Sequence, residues 1–173
     1  MTDEALSPDR IIGALEEETT DGPARMRRLE RRATVANTVV ALRTASTPFT
    51  RMLLCDLLGN KRARSAIPAL IEALDDTDRR VRASAADALG KAFGYVDRPA
   101  PRARVDEALR ALRTRWELED DDDVRSTLTQ TLALVSDSPA VVPLLRAALV
   151  HREEKVRRQA QWGLDYLAGK GQC

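Results

Sequence analysis

Residues Pro68–Gly90 read Pro-Ala-Leu-Ile-Glu-Ala-Leu, then Asp-Asp-Thr-Asp, then Arg-Arg-Val-Arg-Ala-Ser-Ala-Ala-Asp-Ala-Leu-Gly. Ahead of the acidic tetrad, Ile67, Leu70, Ile71 and Leu74 recur at the spacing of one helical face. Behind it, Val81, Ala85, Ala88 and Leu89 do the same. Asp75-Asp76-Thr77-Asp78 supplies short oxygen-bearing side chains that cap the start of the second helix. Ala85 and Ala88 are small enough to let another helix approach closely. Gly90 and Gly94, with Pro99 and Pro101 behind them, end the run. The stretch predicts two helices joined by a short turn. Such a pair cannot bury its apolar faces alone, so it must stack on neighbours.

The same pattern recurs. At an offset of 75, Pro143, Leu145, Ala148, Leu149, Val156, Arg157, Ala160 and Leu164 repeat Pro68, Leu70, Ala73, Leu74, Val81, Arg82, Ala85 and Leu89. At an offset of 43 lie Val124, Arg125, Leu128, Thr131 and Leu132. Upstream, Ala41, Leu42, Arg51, Leu54, Leu57, Leu58 and Gly59 sit 32 and then 31 residues before their counterparts. Outer (A) and inner (B) helices are expected at 34–44 and 48–58, 64–74 and 79–93, 103–116 and 122–135, and 139–150 and 154–168. Two further helices are expected ahead of them. One runs from Ser7-Pro8-Asp9 to about Glu18, the other from Asp21-Gly22-Pro23 to about Arg32. The insert from Gly94 to Arg102 reads as a surface loop.

Composition agrees. The chain has 173 residues, 43% apolar, 32% charged and only 3% aromatic. A sandwich or barrel would need more aromatic and β-branched residues. The one histidine, His151, and the two cysteines, Cys55 and Cys173, are too few for a structural zinc site or a disulfide framework. They fit a reducing compartment. No apolar run approaches the ~18 residues of a membrane span, and the acidic start reads as no secretory signal. Net charge is +1, but residues 1–22 carry −6 and residues 23–64 carry +8.

The 68–90 pattern resembles a HEAT repeat, of the subclass first described in phycobilin lyases. The resemblance covers roughly residues 34–168 and implies an all-α, right-handed solenoid. We expect about four HEAT-like helix pairs (34–59, 64–94, 103–135, 139–168), a helical cap over 1–33 and a tail over 169–173.

Arg51, Arg82, Arg125 and Arg157 occupy one position of the B helices. They are expected to form a structural ladder, paired with acids such as Asp78, the Asp120–Asp123 run, Glu153 and Glu154. The outward B-helix positions Met52, Asp56, Ala83, Asp87, Ser126, Gln130, Arg158 and Trp162 are expected to line a concave protein-binding face. Trp162 stands where the other copies have Asp56, Asp87 and Gln130, so it is either a binding anchor or a cap against the tail. Arg25, Arg27, Arg28, Arg31 and Arg32 form a candidate basic patch for nucleic acid, or neutralise Glu16, Glu17, Glu18 and Asp21. Glu117 and Glu119–Asp123 lack the spaced ligands and glycine of a calcium loop and read as a favourable charge at a helix start. Trp116 and Cys55 read as core, His151 as a solvated turn residue, and Cys173 as incidental.

These features point to a non-catalytic scaffold or adaptor with a protein partner. No catalytic residues, metal ligands or cofactor-binding residues are expected. A monomer in a bacterial cytoplasm is expected, without membrane contact. Three other readings stay open: a nucleic-acid binder using the basic block, a dedicated inhibitor or immunity protein, and a bilin-lyase-like subunit.

Overall fold

A computed structural model describes residues 5–17, 21–94, 100–135 and 140–170. All of its regular structure is helical. Two helices, α1 (Pro8–Glu16) and α2 (Gly22–Arg32), precede four pairs. The pairs are α3 (Val35–Thr44) with α4 (Pro48–Asn60), and α5 (Ile67–Ala73) with α6 (Arg79–Gly94). Then come α7 (Arg102–Leu118) with α8 (Asp122–Val135), and α9 (Val142–Ala148) with α10 (Glu154–Lys170).

The helix starts follow local chemistry. Ser7, Asp21, Thr34 and Thr47 each accept a hydrogen bond from a backbone N–H three residues on, capping α1 to α4. Proline sits in the first turn of α1, α2, α4, α5 and α9, where its missing N–H removes no helical bond. Several boundaries differ from expectation. α1 stops at Glu16. The 64–74 helix is a 3-10 turn over Arg64–Ala66 followed by α5, because Pro68 favours a fresh helix start at Ile67. The 139–150 helix is only Val142–Ala148, started by Pro143 and followed by a turn. Gly169 and Lys170, expected in the tail, belong to α10. Residues 95–99 of the expected loop and 171–173 of the tail lie outside the described residues.

The most extensive packing runs along α4, α6, α8 and α10. Close approach is visible at the glycines. A Cβ on Gly59 would stand 3.0 Å from Ala88 Cα, and one on Gly163 would stand 3.0 Å from Ala133 Cβ. The outer helices are more splayed. Between α7 and α9 lies an opening of about 230 Å³ lined by Leu109, Leu132, Val141 and Leu144. The stack is thus tight along the B helices and more open between the outer ones. The apolar core is continuous from Leu6 to Leu145, whereas Ala148, Val156 and Ala160 form a separate small cluster with Trp116 and Leu149. Among the described residues no helix is long and apolar enough to cross a membrane.

Candidate binding surface and the ladder beneath it

The ladder arginines share one job, and the first three have a second. Each guanidinium reaches back to carbonyls of its own A-to-B turn, because helical side chains lean toward the N-terminus. Arg51 donates to Ala45 and Ser46 carbonyls, Arg82 to Asp76 and Thr77, and Arg157 to His151 and Arg152. Arg125 donates to the Glu119 carbonyl. In the first three, the rest of the fork crosses to the next pair. Arg51 meets the Asp76 carboxylate through Nε (2.7 Å) and Nη2 (3.0 Å). Arg82 meets Glu119 through Nε (2.8 Å) and Nη2 (2.7 Å).

The acids differ only in part from those expected: Asp122, within the expected Asp120–Asp123 run, lies 3.6 Å from Arg125 Nη1, but the closest pairings are elsewhere. The receiving position lies six residues before each arginine, at Ala45, Asp76, Glu119 and His151. Asp78 is instead taken by Arg80 and the first N–H groups of α6. Asp120 is exposed and only within 3.8 Å of Arg82. Glu153 and Glu154 do not reach Arg157; among the described residues no carboxylate does. Ala45 begins the series, with no preceding repeat to serve.

Burial works to push the Asp76 and Glu119 carboxyls up, but their arginine hydrogen bonds, backbone N–H bonds and arginine charges outweigh it and hold both below their ordinary values. Arg115, 3.3 Å from Glu119, adds a second positive charge there. Asp78 is lowered to about 2, chiefly by its Arg80 hydrogen bond.

His151 is not a solvated turn residue. Its ring, with 14% of the side chain exposed, takes the slot that carboxylates fill in the other turns. Nε2 faces Arg125 Nη1 at 2.9 Å, and Nδ1 faces the Glu153 N–H at 3.1 Å. Glu119 uses its carboxylate the same way, toward Arg82 and the Asp121 N–H (3.1 Å). The rest of the acidic run is divided among cross-repeat ion pairs. Asp121 pairs with Arg79 (2.7 Å) and caps α8, Asp122 with Arg152 (3.1 Å), and Asp123 with Lys155 (2.5 Å). Glu117 pairs with Arg113. Among the described residues no group of three or more His, Cys, Asp or Glu could hold a metal ion.

Above the ladder, the outward positions form two rows. Met52, Ala83 and Ser126 are half-buried and Arg158 exposed; Asp56, Asp87 and Gln130 are half-buried and Trp162 exposed. Asp87 pairs with Lys91 (2.7 Å). The Asp56 carboxyl is pushed up by burial, and further by the charge of Asp87, against a Ser84 hydrogen bond and the charge of Lys91. Trp162 stacks on Tyr166, with ring centroids 5.1 Å apart and planes 14° apart, and keeps 36% of its surface exposed. The i, i+4 spacing of these two rings was the available sequence signal for this pair. Trp116 is half-buried, donating to Thr129 Oγ1 (2.9 Å) under the Arg125 guanidinium. Cys55 is buried, its thiol pushed up by burial. Cys173 lies outside the described residues.

The basic patch is split. Leu29 is buried and Met26 half-buried against the core; Arg25 is half-buried, and Arg27, Arg28, Arg31 and Arg32 are exposed. Arg25 Nη1 donates to the Glu17 carbonyl (2.7 Å), Glu16 accepts from Thr50 (3.1 Å), and Asp21 caps α2. Among the described residues Arg25, Arg27, Arg28 and Arg31 make no ion pair with Glu16 or Glu17. Glu18 lies outside them.

The family model for HEAT repeats matches residues 35–133, more than half of the chain. No curated protein matches the sequence. Among solved structures, one engineered protein superposes with TM-score 0.65 at 16% identity, covering 93% of this chain and 81% of its own. A second engineered protein gives TM-score 0.59 at 18% identity, over 93% and 79%. The complex of CpcE and CpcF of phycocyanin lyase from Nostoc sp. PCC7120 gives TM-score 0.42 at 18% identity, over 95% and 78%. At these identities the first two likenesses speak for the fold alone, and the third is too loose to argue from.

Proposed function

Because the chain belongs to the HEAT-repeat family, we propose that it is a non-catalytic scaffold that seats a protein partner on the concave face of α4, α6, α8 and α10. The observation that carries this reading is the stacked Trp162–Tyr166 pair at one end of the concave rows. Its indole is one-third exposed, where the other repeats carry small polar residues. Tryptophan and tyrosine are enriched among the interface residues that dominate binding energy. Asp56 and Asp87 supply acidic contacts toward the other end. The ladder below fixes the spacing of the B helices, so the surface is formed before the partner arrives and little ordering is required on binding.

The test is comparative capture from native lysate with the immobilised wild type, Trp162→Ala and Arg146→Ala. Arg146 is exposed on α9, away from the concave rows. A protein retained by wild type and Arg146→Ala, and reduced tenfold or more on Trp162→Ala, supports the concave face. A partner lost equally from both variants, or from neither, contradicts it.

A further inference from the structure

We propose that the cleft between α1 and α2 is an oxyanion site that takes a single phosphoryl group. It is separate from the concave face and does not depend on that reading. Residues 10, 13, 14 and 17 form one stripe of α1, and residues 25, 28, 29 and 32 form one stripe of α2. The two stripes face each other across a cavity of about 300 Å³. Ile11 and Leu15 point the other way, into the core. Among the described residues the cleft is lined by the guanidinium groups of Arg10, Arg25 and Arg28, by Arg32, which has a partner of its own, and by one carboxylate, Glu17. Leu6 and Leu29 give it an apolar base, and Gly13 leaves its floor open, since a Cβ there would meet nothing within 4 Å.

Among the described lining residues, Arg10, Arg25 and Arg28 outnumber the one carboxylate. Arg25 donates to the Glu17 backbone carbonyl, which neutralises no charge. The guanidinium groups of Arg10 and Arg28 have no hydrogen-bond acceptor among the described residues. Positive groups gathered on a partly enclosed cavity repel one another, and an entering anion relieves that repulsion. Guanidinium forks match tetrahedral oxyanions through paired N–H bonds, which favours phosphate over halide. The cavity is at the small end for a ligand site, suited to one phosphoryl group and its immediate attachment. A nucleic-acid strand is disfavoured: among the described residues no aromatic side chain lines the cleft for base stacking, and Arg27 and Arg31 do not line it.

The full-length protein is titrated with inorganic phosphate, with O-phosphoserine, and with sodium chloride at matched ionic strength, followed by melting temperature and calorimetry. Phosphate or O-phosphoserine should raise the melting temperature where chloride does not. Arg28→Ala and Arg10→Ala should each weaken binding about tenfold, the scale of one charge-assisted bond lost. Glu17→Gln should strengthen it, and Arg31→Ala should leave it unchanged. Tighter binding of O-phosphoserine than of phosphate identifies a phosphorylated side chain as the source; the reverse identifies the free anion. The proposal is overturned if chloride stabilises equally, if Arg28→Ala binds as wild type does, or if single-stranded DNA binds more tightly and Arg31→Ala weakens it as much as Arg28→Ala.

Discussion

Arg82 and Glu119 meet in a two-pronged ion pair inside the seam between the second and third helix pairs, with the Glu119 side chain wholly buried. The same arginine holds two carbonyls of its own turn, so one side chain ties a helix start to the neighbouring repeat. Removing one member of a buried pair strands the other in low dielectric. Arg82→Ala should therefore lower stability by about 2–4 kcal/mol, with Arg115 compensating in part. Urea denaturation measures this; a loss below about 0.5 kcal/mol would show that the pair is dispensable.

His151 is the weak rung. A neutral imidazole has one lone pair in its ring plane, yet here both ring nitrogens face donors, Arg125 Nη1 and the Glu153 N–H. A carboxylate satisfies both, as Glu119 does one repeat earlier. His151→Glu should raise stability by about 1 kcal/mol, or roughly 2–4 °C in melting temperature. A fall of similar size would mean that the imidazole is preferred at this seam.

Gly163 and Ala133 exchange the roles seen at the other crossings. Gly59 faces Ala88 and Gly90 faces Thr131, so the glycine lies on the earlier helix; at the last crossing it lies on the later one. A Cβ at Gly163 would also stand 3.1 Å from Leu145 Cδ1. Gly163→Ala should destabilise by about 1–3 kcal/mol despite better helix propensity. Adding Ala133→Gly should recover part of that loss. Thermal denaturation of the single and double variants checks it, and additive losses would contradict it.

The repeat was legible because apolar spacing and turn chemistry agree in each pair, and the inner-helix spans follow from them closely. The ladder was only half legible. The arginine position stands out, but its acceptor lies in a turn whose acids also cap helices, and linear closeness favoured Asp78 and Asp120–Asp123. Alignment on the position six before each arginine would have found Asp76, Glu119 and His151 together. The cleft of α1 and α2 could not be read, because which arginines share a face depends on how two helices outside the repeat pattern dock.

Acid should unfold the protein in a predictable window. Asp76, Asp78, Glu119 and Asp121 all lie below their ordinary values in the folded chain. Their stabilisation is fully present above the unfolded carboxyl values, about 4, and is lost as pH falls through the lower folded ones. Asp56 has the opposite sign. Its raised value means that its charge opposes folding above about pH 4, so Asp56→Asn should stabilise at pH 7 and change little at pH 3. Urea midpoints at pH 7, 4 and 3 test both. A wild-type midpoint unchanged down to pH 3, or an Asp56→Asn variant less stable at pH 7, would contradict them.

The most direct test of the scaffold reading is the affinity of a captured partner for Trp162→Ala, measured beside the melting temperature of that variant. As a binding anchor, Trp162 should contribute about 2 kcal/mol or more, near 30-fold in Kd, with the melting temperature almost unchanged. An unchanged Kd, or a collapse in melting temperature that accounts for the lost binding, would show that the indole serves the last repeat's own packing and not a partner.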